Sequence, residues 1–110
     1  MAGPHHDKKL ATALMHAAAD FIARQSNRTS LITVTDIVLG RGAKQATILI
    51  SVLPATAETA ALNFLKRQRP ELRQFMGQKV PLRQTPFIDL AIDPGAKNAQ
   101  KVDALLQSIK

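Results

Sequence analysis

Cysteine, tryptophan and tyrosine are all absent, and acidic residues number eight against fifteen lysines and arginines. Without cysteine the chain can form neither a disulfide frame nor a thiolate metal site, a composition compatible with the cytosol. Four phenylalanines are its whole aromatic complement, so platforms for stacking bases are nearly missing, and any nucleic-acid binding has to rest mainly on charge and backbone shape. No stretch reaches the roughly 18 consecutive apolar residues of a membrane-spanning helix. Histidine is also scarce: His5 and His6 lie near the start, and His16 sits in an apolar run with no acid–base partner evident. Asp89 and Asp93 are too few to enclose a hard cation, which needs several converging oxygens. No catalytic constellation can be assembled, so the chain does not read as an enzyme, and neither cofactor nor metal is expected.

The scarcity of acids leaves a net charge of +7 and an isoelectric point near 10.4, which favours a polyanionic partner. A membrane surface is the weaker choice, because the basic residues lie beside apolar ones that a compact core needs. A chain of 110 residues makes one domain with one core. Residues 1–7, with Gly3, Pro4 and two histidines, read as a disordered lead to a single domain over 8–110. Lys8 and Lys9 followed by LATALMHAAADFIA superficially match a secretory signal, but His16 and Asp20 interrupt the run, and a globular helix explains it better.

That first helix is expected from about Lys8 to Gln25, with Leu10, Leu14, Ala17, Ala18, Phe21 and Ile22 on one face. LITVTDIVL, from Leu31 to Leu39, is rich in β-branched residues and reads as a strand whose apolar phase shifts: Ile32 and Val34 share one parity, Ile37 and Leu39 the other. A bulge at Thr35 or Asp36 would bring all four to one face. Gly40, Arg41 and Gly42 make a turn, and AKQATILISVL completes a hairpin with Ala46, Ile48, Ile50 and Val52 inward. Because a strand and not a helix follows it, this GxG is no phosphate loop. Pro54 closes the strand, Thr56 is the expected N-cap of the next helix, and Glu58 falls in its first turn.

Most of the excess charge lies in the next stretch. From Lys66 to Arg83, six cations (Lys66, Arg67, Arg69, Arg73, Lys79 and Arg83) face the single acid Glu71. Ala61, Phe64, Leu65, Leu72, Phe75 and Met76 form a core seam at helical spacing, while Lys66, Arg69 and Arg73 form a separate stripe at i, i+3 and i+7. Pro70 interrupts the helix, removing a donor to Lys66 and disfavouring helical geometry at Arg69, so two short helices are expected to meet at Arg69 and Pro70. A third strand follows from Pro86 to Ile92, with Ile88, Leu90 and Ile92 inward and Phe87 facing the other way. Asp93 and Pro94 then open a last helix with Ala99, Val102, Leu105, Leu106 and Ile109 on its apolar face. The fold class is α+β: helix, strand, strand, kinked helix pair, strand, helix, with the helices on one face of a three-stranded sheet.

This order resembles the KH fold of type II topology. ITVTDIVL, a glycine-containing turn, AKQATILISVL, PELRQFMGQKVPLRQTPFIDLAID and a closing KVDALL together resemble the ribosome-binding factor A family over about Ile32 to Ile109. The resemblance implies a cytoplasmic, non-enzymatic assembly factor that binds rRNA of the immature small ribosomal subunit and assists its late maturation. It also implies a protein that is monomeric when free and associated with growth in the cold. Two departures stand out. The family's usual Ala-x-Gly break between the paired helices is replaced by a helix break at Gln68, Arg69 and Pro70, and its frequent Asp-Pro-Arg after the first helix by Gln25, Ser26 and Asn27. An ordinary KH domain clamps single strands with a GXXG loop, but the glycines here stand at 3, 40, 42, 77 and 95, so none exists. Lys66, Arg67, Arg69, Arg73, Lys79 and Arg83 are therefore the expected contacts to phosphates of a folded RNA. Arg24, Arg28, Arg41 and Lys44 form a secondary set that solvation and helix-dipole compensation explain equally well. The alternative is a basic protein-interaction module without direct RNA contact.

Overall fold

The computed structural model describes residues 4–25, 30–40, 42, 44–82 and 84–95, with side chains placed from residue 9 onward. Helix α1 (Pro4–Gln25) ends at the expected residue but begins four residues before Lys8, inside the expected lead. Proline is tolerated at that first position, since its missing amide would have had no partner there. Leu14, Ala17, Ala18, Phe21 and Ile22 are buried, with Leu10 packed partly against them.

Strands β1 (Leu31–Leu39) and β2 (Gln45–Leu53) pair antiparallel. The register runs Val34 to Ile50 and then Asp36 to Leu49, so Thr35 is the extra residue of a bulge. The phase shift in the sequence is resolved as expected: Ile37 is buried, and Ile32, Val34 and Leu39 pack on the same core. The extruded threonine is not idle, because its hydroxyl lies within hydrogen-bonding reach of the Leu49 carbonyl, at 3.2 Å, and of the Asp93 carboxylate. At the turn, Gly42 takes φ +67°, a left-handed conformation that glycine enters without steric cost. Ala46, Ile48, Ile50 and Val52 of the central strand are almost wholly inaccessible.

A short 3-10 turn, Ala55–Ala57, then winds the chain into α2 (Glu58–Arg67). The Ala57 amide bonds the Pro54 carbonyl at 2.9 Å, so the helix is entered from a turn already formed. Thr56 is therefore not the N-cap; Ala57 occupies that place, with no side-chain bond.

The helix break falls at Gln68, one residue before the expected junction, and α3 spans Arg69–Lys79. The Gln68 amide closes a tight turn onto Leu65, and its carbonyl accepts from Leu72, both at 2.9 Å, so the residue ends one helix and starts the next. Pro70 sits in the first turn of α3, where a missing amide is harmless. The Lys66 carbonyl, which Pro70 cannot serve, accepts instead from Arg69 Nε at 3.0 Å. Ala61, Leu65, Leu72 and Met76 form the buried seam, whereas Phe64 and Phe75 flank it only partly covered.

The helix pair is the crossover that parallel strands require, and β3 (Phe87–Ile92) lies parallel to β2, Phe87 opposite Gln45 and Ile92 opposite Ile50. Ile88 and Leu90 are buried. Asp93 Oδ1 accepts from the Gly95 amide at 2.8 Å, the cap expected for the last helix, whose apolar face from Ala99 to Ile109 lies outside the described residues. The sheet order is β1-β2-β3, and α1, α2 and α3 cover one face. Leu31, Val38, Leu53 and Phe87 are exposed on strands whose neighbouring residues point into the core. The architecture is the expected α+β layer of KH-like type II topology.

Candidate nucleic-acid interface

Arg69 and Arg73 stand one helical turn apart on α3 and both face the start of β3. Arg73 is held firmly: Nη2 donates to the Thr85 carbonyl at 2.7 Å and Nε to the Pro86 carbonyl at 3.1 Å, while the guanidinium carbon lies 4.9 Å from the Phe87 ring centre. These carbonyls orient the cation without neutralising it. Gly77 permits the approach, because a Cβ there would lie 2.7 Å from Thr85 Oγ1, closer than side chains pack. Arg69 is looser. Its Nη1 is 3.4 Å from Asp89 Oδ1, in a pair whose side chains are 47% and 42% exposed, so the ion pair contributes little.

Between α3 and the start of β3 lies an open cleft of about 780 Å³, lined by Arg69, Arg73, Gln74, Gln78, Thr85 and Phe87 among others, with no acidic residue in its lining. Exposed Lys44 is brought to the same end, since the Phe87 amide bonds its carbonyl at 3.0 Å. The parallel pairing of β2 with β3 thus joins Lys44, set apart in the sequence reading, to Arg69 and Arg73.

A second cluster surrounds Phe75. Arg24 lies 5.3 Å and Lys79 5.4 Å from its ring centre, and Phe21 meets it at 5.6 Å in a tilted pair. Arg24 also pairs with Asp20 at 3.4 Å. Lys66 is half-buried and Arg67 exposed at the end of α2, and neither lines the cleft. The i, i+3, i+7 stripe spans the expected helix break; with the break at Gln68, Lys66 does not join Arg69 and Arg73 at the cleft. Arg28, Arg41 and Arg83 lie outside the described residues. Phe87, Gln74 and Gln78 carried no role in the sequence reading, although an outward-facing phenylalanine among only four was a usable signal.

The two departures from the family pattern touch each other: Gln68 Nε2 donates to Gln25 Oε1 at 3.4 Å, tying the helix break to the end of α1. Among the described residues no group of three His, Cys, Asp or Glu could hold a metal, and no helix is long and apolar enough to cross a membrane.

A KH-like type II layer with two cationic clusters and no GXXG loop defines a class of basic α+β proteins. Within that class the chain belongs to the ribosome-binding factor A family, whose profile matches residues 6–106. It is similar to ribosome-binding factor A of Methylocella silvestris, at 32% identity over 107 residues covering 93% of this chain and 69% of that one. The Thermobifida fusca protein of the same name is 31% identical over 105 residues, covering 93% and 70%. The fold is that of the crystal structure of ribosome-binding factor A from Thermus thermophilus, with a TM-score of 0.69 at 22% identity over 83% of this chain and 97% of that one. It also superposes on a homology model of the Thermus thermophilus factor as fitted into a cryo-EM map of a 30S complex, with a TM-score of 0.66 at 20% identity over 76% and 90%.

Proposed function

We propose that this protein is a non-enzymatic assembly factor of the cytoplasm that binds the small ribosomal subunit through its rRNA and assists late maturation of the immature particle, acting as a monomer without a cofactor. Membership of the family supports the assignment, and the Thermus thermophilus relative was fitted into a map of a 30S complex. The observation that carries the reading is the cationic α3, where carbonyls hold Arg73 in place and Arg69 and Lys79 are exposed, with exposed Lys44 brought to the Arg73 end by the pairing of β2 with β3. Such a surface gains affinity by displacing counterions from phosphates, and a guanidinium already fixed in place loses little freedom on binding. Phosphate contacts of this kind set position without reading bases. Lys66, Arg67 and Arg83 belong to the proposed set of phosphate contacts as well, with Arg24, Arg28 and Arg41 as secondary members.

Sedimentation of the tagged protein with mature and with immature small subunits tests the proposal. Co-migration that favours immature particles and falls as salt rises supports it. Co-migration that survives both high salt and ribonuclease supports the protein-interaction alternative instead.

A further inference from the structure

Phe87 is 64% exposed, although its neighbours Pro86 and Ile88 are buried. It is the most exposed of the described large apolar side chains, and it stands at the mouth of the cleft beneath α3. The other three phenylalanines are packed: Phe21 is buried, and Phe64 and Phe75 lean on the core. One face of the Phe87 ring is covered by Arg73, which the carbonyls of Thr85 and Pro86 hold in place. With most of the residue accessible, the rest of the ring is free to take a second flat group. Gln74 and Gln78, four apart on α3, bring amide donors and acceptors to the same cleft, and Arg69 brings a cation. A volume of about 780 Å³ exceeds that of one nucleotide and falls within the usual range of ligand pockets.

We propose that this cleft holds a single unpaired nucleotide of RNA, its base stacked on Phe87, its phosphate against Arg69 and its edge facing the glutamine amides. The inference rests on the RNA-binding reading above and deepens it, since it adds a base contact to a surface otherwise limited to phosphates. Arg73 has a positioning role: it stiffens the ring and raises the local positive potential. Arg69 exchanges its weak exposed pair with Asp89 for the phosphate. No acid lines the cleft itself, and Asp89 is the carboxylate that the phosphate displaces from Arg69. Stacking of this kind tolerates any base, so the site needs no GXXG loop and implies little sequence preference.

The test uses the whole chain and two short single-stranded RNA probes of equal charge, an oligoadenylate and the same backbone without bases. Because the protein has neither tryptophan nor tyrosine, a fluorescent adenine analogue in the first probe reports stacking without interference. The oligoadenylate should bind on the order of 5- to 100-fold more tightly than the abasic strand, the usual effect of one stacked base. In Phe87→Leu, which keeps an apolar side chain but no ring, that preference and the fluorescence change should disappear, while the melting temperature and the salt slope stay as in the parent. Equal binding of the two probes by the parent, or a preference that survives in Phe87→Leu, overturns the nucleotide site even if small subunits still bind. Loss of subunit association in a parent protein that retains the probe preference overturns the proposed function and leaves the cleft intact.

Discussion

At the meeting of α3 with β3, Arg73 makes two hydrogen bonds to main-chain carbonyls and covers part of Phe87, so it contributes to folding as well as to charge. Hydrogen bonds from a charged donor stabilise by about 1.5 to 3 kcal/mol. Arg73→Gln should therefore lower unfolding free energy by about 2 kcal/mol in urea titration, whereas Arg69→Gln, which loses one exposed bond to the Lys66 carbonyl and a half-exposed pair, should cost less than about 1 kcal/mol. An equal effect from both would show that the carbonyl contacts do not hold Arg73. The spacing of cations in the chain could not separate the two, because the carbonyls that distinguish them belong to a segment 12 and 13 residues further on. Gly77 offers a second residue-level test. Alanine in mid-helix normally stabilises by about 1 kcal/mol over glycine, but here its Cβ would meet Thr85 Oγ1. Gly77→Ala alone should destabilise, and adding Thr85→Ala, which removes that oxygen, should restore most of the loss. A single mutant more stable than the parent would mean that the approach of α3 to Thr85 is not tight.

Among the elements, those carried by local pattern were legible and those set by distant partners were not. The bulge could be read because Ile32, Val34, Ile37 and Leu39 must share a face for β1 to bury anything, and only one extra residue achieves that. The inward residues of β2 and β3 followed from alternation, and the buried faces of α1 and α3 from helical spacing. The break between α2 and α3 was displaced by one residue, because a proline forbids the bond to Lys66 without saying whether it ends the first helix or opens the second. Gln68 decides that, bonding backward to Leu65 and forward to Leu72. Thr56 failed as a cap because the turn ahead of α2 is a backbone feature invisible to residue preference. Pro70→Ala restores an amide that competes with Arg69 Nε for the Lys66 carbonyl. The amide at position 70 should then become protected from hydrogen exchange, and subunit affinity should fall several-fold with little change in melting temperature. A freely exchanging amide would show that the break is held by other contacts, Gln68 to Gln25 first among them. Leu72→Ala, at a wholly buried position of the seam, should cost about 2 to 5 kcal/mol by chemical denaturation, independent of RNA. A cost below about 1 kcal/mol would mean that the seam collapses around the gap.

For the whole molecule, the charge excess was plain in the composition, but its layout was not. The chain order of the cations suggested one stripe across the paired helices; folding divides the described ones into Arg69, Arg73 and Lys44 about Phe87 and Arg24 with Lys79 about Phe75. That division depends on the parallel pairing of β2 with β3 and on the packing of α1 beside α3, contacts between segments far apart in sequence. The order of elements, together with the segments from ITVTDIVL to KVDALL, nevertheless sufficed to place the chain in its family. The claim that matters most is that exposed cations of α3 meet rRNA phosphates, and it is tested most directly by the salt dependence of binding to small subunits. If about four phosphates are neutralised, log affinity should fall against log salt with a slope of roughly −3 to −4. The variant Arg69→Gln with Lys79→Gln, chosen to spare Arg73, should remain folded, bind more weakly and lose between one and two units of that slope. A folded double variant with the parent's affinity and slope would contradict the account.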